Sequence, residues 1–349
     1  MKVLHLCDHP PYGGAFEAAQ SIADLVGGPV FRSQKPGKAV QAGATICGYC
    51  LPAKKAQIRR VIRQHDPEIV HLHNFKEFGT AAIAAAKAQN VPVVWSCYDY
   101  WPLCPRDSLH DDDCRPEECR LTCYNPIGVR LPTIAKLPML GRQTRMRKWM
   151  GQLDAIIALS SHSQRLLFDG GIGLPKGEQT TTHVIPLPIT LPKVSIEKDR
   201  NLVAFVGGQP MIKGGGVFQA AEKLVRAQRP EVRFQVIHAS SRQEALESIA
   251  AAQVLVVADL WMNPGPVVIV EAACLGTNIV ASDVGGIRET AERYTNAGFA
   301  PPGQPQAFAE EILRALDIDA EPSRGPDLPE IKKNLLEVYA CAIKRASSQ

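Results

Sequence analysis

No apolar run in this 349-residue chain reaches the roughly 18 residues that a membrane-spanning helix needs, which excludes a chain that crosses a membrane by helices. A repeat period of roughly 20 to 50 residues is missing, and so is any segment of low complexity, which excludes solenoids and repeat arrays. The chain begins Met1-Lys2-Val3-Leu4-His5-Leu6-Cys7 and turns polar at Asp8, too short an apolar stretch for a secretion signal, so a cytoplasmic protein is expected. A strong charge bias is absent as well. The net charge of +4 and pI near 8.5 give a mild preference for anionic partners such as phosphorylated metabolites, too weak to argue for a nucleic acid. What the chain does have is core material: 45% hydrophobic against 21% charged residues, over a length of about two ordinary domains. Ten cysteines in a reducing compartment point to thiols or metal ligands before disulfides.

Lys2 to Cys7, Glu68 to His73, Pro92 to Cys97, Ala155 to Ser160 and His183 to Leu187 are short apolar runs that read as buried strands. Helical patterns at Ala15 to Val26, Pro52 to His65 and Gly79 to Gln89 lie between them, the alternation of a parallel sheet covered on both faces. Pro186, Pro188 and Pro192, followed by charged Glu197 to Arg200, read as a linker. The alternation then restarts, with strands at Asn201 to Gly207, Val232 to His238, Val254 to Leu260 and Asn278 to Ser282. Helices at Gly215 to Arg226, Ser241 to Ala250 and Pro266 to Leu275 separate them. The expectation is α/β throughout: two doubly wound, Rossmann-like domains, 1–190 and 191–325, facing across a cleft. A last helix, roughly Leu328 to Ala346 within 326–349, could pack on either domain, including back on the first of them. Ligands of such sheets bind beyond the carboxyl ends of the strands, so functional loops should follow strands.

Four loops fit that rule. Gly13-Gly14 follows the first strand and opens a helix, where bare backbone and free N–H donors admit a phosphate or sugar, although a plain tight turn explains it equally well. Neither it nor any other loop has the spacing of the dinucleotide fingerprint or the P-loop. Gly207-Gly208-Gln209-Pro210-Met211-Ile212-Lys213-Gly214 sets a lysine at a helix start, where charge and backbone donors can hold a diphosphate without a metal. In Asn263-Pro264-Gly265-Pro266, with Glu271 further along, a helix starting at Pro266 carries a carboxylate among apolar neighbours, which demands a partner such as ribose hydroxyls. Asp283-Val284-Gly285-Gly286 opens a fourth helix.

The order of these motifs, together with Gly276-Thr277-Asn278-Ile279-Val280-Ala281, resembles a family 4 glycosyltransferase of the GT-B fold from the first strand to about Leu316. The resemblance implies retaining transfer from a nucleotide-activated sugar, with no metal needed for catalysis. It puts Glu271 on the ribose, Lys213 on the diphosphate, Gly207, Gly208 and Pro264 to Pro266 along the donor, and Gly13 and Gly14 on the other side of the cleft. Three positions depart from the family's pattern. Gly208 replaces an arginine beside the diphosphate, leaving Lys213, with Arg288 as a possible substitute. Asn263 replaces the first glutamate of Glu-x7-Glu. Tyr98 replaces the histidine of a His-Asp-x-Trp-x-x-Cys-Pro-Arg segment, and a hydroxyl of unperturbed pKa near 10 is a poor proton acceptor. Asp99 beside it is either a base or a loop cap. The candidate catalytic set is therefore Tyr98, Asp99, Lys213 and Asn263.

Cys104, Cys114, Cys119 and Cys123 form Cys-x9-Cys-x4-Cys-x3-Cys in an insert spanning about 104–125 that is poor in apolar residues. Structural zinc, an iron–sulfur cluster, disulfides and free thiols all stay open, with a metal favoured. Cys47 and Cys50 have redox spacing in the wrong context, and Cys7, Cys97, Cys274 and Cys341 read as core. His71 and His73 share a strand face but lack further ligands, which favours structural histidines. His162, after a strand, could border the cleft, although helix capping by the serines around it is the plainer explanation. Arg142, Arg145, Arg147 and Lys148 with Met146, Trp149 and Met150 make a basic amphipathic stretch: a solvated face, or a peripheral membrane contact suited to a lipid-linked acceptor. The expected partners are a nucleotide-sugar donor and a glycan, lipid-linked or small-molecule acceptor, in cell-envelope or polysaccharide synthesis. The competing reading is a non-catalytic nucleotide- or sugar-binding protein, or a scaffold, of the same fold.

Overall fold

Strands that are apolar along their whole length can be stable only where helices cover both sheet faces, and the computed structural model of this chain has that form. It describes residues 1–7, 14–32, 51–74, 78–106, 108–109, 137–172, 181–207, 211–239 and 241–347, without the side chains of 137–140. β1 (Val3–Cys7), β3 (Ile69–Leu72), β4 (Val93–Cys97) and β5 (Ala155–Ala158) are buried at every position. With β2 (Val30–Arg32) and β6 (Thr181–Val184) they form a parallel sheet in the order β2-β1-β3-β4-β5-β6. A second parallel sheet orders β7 (Asp199–Val206), β8 (Arg233–Ile237), β9 (Ala252–Val257), β10 (Asn278–Ser282) and β11 (Gly298–Ala300) as β11-β10-β9-β7-β8.

The helices are α1 (Gly14–Val26), α2 (Pro52–His65), α3 (Ala81–Lys87), α4 (Leu137–Met150) and α5 (Ser161–Asp169) around the first sheet. Then come α6 (Gly215–Gln228), α7 (Arg242–Ala251), α8 (Val267–Cys274), α9 (Ile287–Glu292), α10 (Pro305–Leu316) and α11 (Leu328–Ala346). Of the described residues, those up to Pro188 and those from Leu328 onward form one compact unit, and Ile189–Asp327 form the other. α11 belongs to the first core: Ile331, Leu335, Val338 and Tyr339 pack with Val3, Ile22, Ile69 and Val94. Cys341 is exposed on that helix rather than in the core, because its neighbours Tyr339 and Ala342 already occupy the buried stripe. In the second core, Phe205 and Phe218 stack 4.9 Å apart beside Val254, Phe308 and Ile312.

Several boundaries shift for identifiable reasons. β6 lies at Thr181–Val184, not His183–Leu187, because Pro186 and Pro188 have no N–H for the ladder while Thr181 and Thr182 are β-branched. Asp199 and Arg200 are strand rather than linker. Asp199 pairs with Ala252 across the sheet and with the Arg233 guanidinium. Lys198 is tethered just ahead, donating to Ala250 O, Ala252 O and Thr277 Oγ1 at 3.0–3.2 Å. Pro266 is the N-cap of α8 rather than its first helical residue. β2, β11 and α10 were not anticipated, whereas α9 is the helix expected to open after Asp283-Val284-Gly285-Gly286. In both sheets the chain reverses direction beside its first strand, between β1 and β3 and between β7 and β9, and such a reversal opens a crevice at the strands' carboxyl ends.

Candidate functional site

The β7/β9 crevice gathers the candidate residues of the second unit. Gly214 caps α6 with φ 73°, and a Cβ there would stand 1.9 Å from the Ala258 carbonyl oxygen, so this loop reaches the end of β9 only with glycine. Leu260 N–H donates to Ile212 O at 2.8 Å and ties the two loops together. Lys213 is thereby delivered to Asp259: Nζ lies 3.0 Å from Oδ2, with the lysine side chain 30% exposed and the aspartate 1%. Trp261 Nε1 (3.2 Å) and Asn263 Nδ2 (2.6 Å) donate to the same oxygen, and the Lys213 ammonium lies over the Trp261 ring. Asn263 Oδ1 in turn accepts from Gly265 N–H at 3.1 Å. The loop after β10 closes on the same residue, Gly286 N–H donating to Asn263 O at 2.7 Å, and Gly285 has φ 63° where a Cβ would meet that oxygen.

Glu271 sits on α8 with Oε1 3.4 Å from the guanidinium of Arg242, the first residue of α7. Arg242 also donates to Thr190 O. Pro264, Gly265 and Pro266 are buried, and Gly207 faces Phe205, whose ring a Cβ would strike. Arg288, the suggested replacement cation, is engaged elsewhere. It grips Asp283 through two bonds of 2.8 and 2.6 Å, reaches Glu292 and stacks on Phe299, and these carboxylates raise its pKa while Arg288 lowers that of Asp283. Gly208 lies outside the described residues.

In the first unit the β1/β3 crevice is filled by imidazoles. His5 and His71 are cross-strand partners, and His73 completes a buried trio whose nearest nitrogens, His5 Nδ1 and His73 Nε2, are 2.9 Å apart. The proton positions follow from one acceptor. The Gly27 carbonyl can only accept, so His5 Nε2 carries the proton (3.1 Å) and His5 Nδ1 receives the proton of His73 Nε2. His73 Nδ1 then accepts from Tyr98 Oη at 3.0 Å, and the Tyr98 oxygen accepts from Ser96. Ser96 Oγ accepts from His71 Nε2 (2.8 Å), and His71 Nδ1 from Tyr339 Oη (2.7 Å). Burial lowers the pKa of all three histidines, His5 to about 4, with mutual repulsion adding to the shift at His71 and His73.

Tyr98 is therefore committed to His73, and burial pushes its hydroxyl well above the ordinary range. Asp99 Oδ1 accepts from Trp101 N–H at 2.8 Å, the geometry of a loop cap. Gly14 opens α1, whereas Gly13 lies outside the described residues. Ser160 and Ser163 form a capping box on α5 beside His162. The basic stretch on α4 is not a uniform surface. Arg142 is buried, donates to the Trp101 and Pro102 carbonyls at 2.6 and 3.2 Å and lies over the Trp101 ring, while Arg147 Nε donates to Gly170 O. Cys104 is buried. Cys114, Cys119, Cys123, Cys47 and Cys50 lie outside the described residues. Among the described residues no helix is long and apolar enough to cross a membrane.

Sequence reasoning placed Lys213, Asn263 and Glu271 in this region but passed over Asp259, His5, Arg242 and Tyr339. The signal for Asp259 was a lone carboxylate right after an apolar strand; for His5, it was a histidine inside one.

The Glycosyltransferase Family 4 model matches residues 39–191 and the Glycosyl transferases group 1 model residues 190–325. No curated protein matches the chain significantly. Among solved structures, Anabaena HepE in complex with UDP-glucose is 16% identical with a TM-score of 0.57, covering 100% of this chain and 95% of that one. Sucrose-phosphate synthase from Thermosynechococcus elongatus is 12% identical with a TM-score of 0.58, covering 100% and 94%. The UDP-forming α,α-trehalose-phosphate synthase from Burkholderia vietnamiensis is 12% identical with a TM-score of 0.59, covering 99% and 96%. At such identities the likeness is one of fold, a two-domain Rossmann-like GT-B architecture.

Proposed function

The chain is a glycosyltransferase built from a family 4 domain followed by a group 1 domain, and on that premise we propose that it moves a sugar from a nucleoside-diphosphate donor to an acceptor with retention of anomeric configuration. The observation that carries this reading is the β7/β9 crevice, where Lys213 stands part-exposed at the N-terminus of α6. When the bond from the anomeric carbon to the diphosphate breaks, the leaving group gains negative charge. A fixed ammonium and the free N–H groups of a helix start favour that state over the ground state. Glu271, held by Arg242, takes the ribose hydroxyls; the backbone of Pro264 to Pro266 borders the sugar. UDP-glucose is the first donor to try, since Anabaena HepE is seen with it.

Tyr98 is then a structural hydroxyl rather than a proton acceptor, and Asp99 keeps a loop in place. The commitment of Tyr98 to His73 also favours a second reading, a binder without turnover. Two measurements separate them. Thermal-shift assays with UDP, GDP, ADP and dTDP should show selective stabilisation by one base, about 2.7 kcal/mol at 100 times its dissociation constant. Slow hydrolysis of the matching nucleotide sugar, its released anomer read by NMR, should show retention; stabilisation without hydrolysis favours the binder. The four-cysteine insert stands as a proposed structural zinc site, checked by elemental analysis of wild type and Cys119→Ser.

A further inference from the structure

We infer that Asp259 is a positioning residue for the transfer reaction, holding Lys213 at the mouth of the crevice and carrying the carboxylate that the resembled motif places at position 263. The inference rests on Lys213 being the diphosphate cation. Asp259 is 1% exposed, so water cannot solvate its charge, and three donors converge on Oδ2 in its place: Lys213 Nζ, Trp261 Nε1 and Asn263 Nδ2 at 3.0, 3.2 and 2.6 Å. An ammonium has three N–H groups; one engaged by Asp259 from the buried side leaves others for a ligand.

The same geometry explains why residue 263 is an amide. Asn263 donates to Asp259 through Nδ2 and accepts from Gly265 N–H through Oδ1. A carboxylate at 263 could do only the second, and it would set a second negative oxygen where the 2.6 Å donor now stands. Asn263 is thus the counterpart of Asp259, and the pair keeps one negative charge in the crevice with its location moved.

The Asp259 carboxylate partly neutralises Lys213 and so should weaken diphosphate binding, while the fixed place it gives the ammonium should raise turnover. The test is Asp259→Asn, read by calorimetric affinity for whichever of UDP, GDP, ADP and dTDP the wild type binds most tightly, and by kcat for the corresponding nucleotide sugar. The expected split is diphosphate affinity about threefold or more tighter with kcat at least about tenfold lower. A merely structural hub would weaken both together, and that result overturns the inference. Asn263→Asp alone should lose turnover, and the reciprocal D259N/N263D variant, with one carboxylate again, should recover kcat to within about threefold of wild type. That variant decides the matter should D259N fold poorly; recovery no better than D259N overturns the inference. A wild type that binds none of the four diphosphates refutes the nucleotide reading and takes this inference with it, whereas normal wild-type binding with D259N unchanged in both readouts refutes this inference alone.

Discussion

The two sheets share a winding rule, and each leaves a crevice beside its first strand, yet the two crevices are furnished in opposite ways. Between β1 and β3, three buried imidazoles, Ser96, Tyr98 and Tyr339 use their polar hydrogens on one another, and the chain ends on the Gly27 carbonyl. Between β7 and β9, a buried carboxylate holds a lysine that keeps part of its surface free. A crevice produced by topology is therefore only an opportunity. Neutral groups with matched donors and acceptors close it, and a charge pair with one open side leaves it able to bind.

The comparison breaks most readily in acid. His5 has a pKa near 4 in the fold against 6.5 unfolded, and His71 and His73 are lowered too. Their contribution to stability is complete above about pH 6.5 and is lost as pH falls towards 4, because the unfolded chain binds protons that the fold refuses. Three such groups give a slope approaching about 4 kcal/mol per pH unit, measurable by denaturant titration between pH 4 and 7. His71→Asn should flatten that slope by about one proton; an unaltered slope would show that the trio does not control it. In the other crevice, Lys213→Ala should lower kcat by roughly a hundredfold or more, with a smaller change in donor KM, as for loss of one preorganised donor. Equal turnover removes its role. Gly214→Ala should cost about 1 to 3 kcal/mol or more in urea melts, through positive φ and collision with Ala258 O. Smallest is Glu271→Gln, expected to weaken nucleotide binding by about 1 to 3 kcal/mol in calorimetry while leaving the fold intact.

How far these features could be read in advance varied with their range along the chain. α2, β10 and α11 were anticipated to the residue, because a proline start, a continuous apolar run and a long amphipathic stripe are local signals. The edge strands β2 and β11 span three residues each, too short for any periodicity to register. At the site, Lys213, Asn263 and Glu271 were marked by motif order. Asp259 was missed because its importance lies in the donors that meet it, one of them 46 positions earlier. His71 and His73 looked short of ligands because their third companion is on another strand, 68 residues from His73.

The placement of α11 has a consequence for how the protein is made. Its residues follow the whole of the second unit in sequence but supply part of the first unit's core, with Tyr339 starting the hydrogen-bond chain at His71. During synthesis the second unit has all its own contacts once Asp327 has emerged, whereas the first, begun earliest, waits for Leu328–Ala346 before its core can close. The order of completion is thus the reverse of the order of translation, and the half-built first unit is the state that a chaperone or protease would meet.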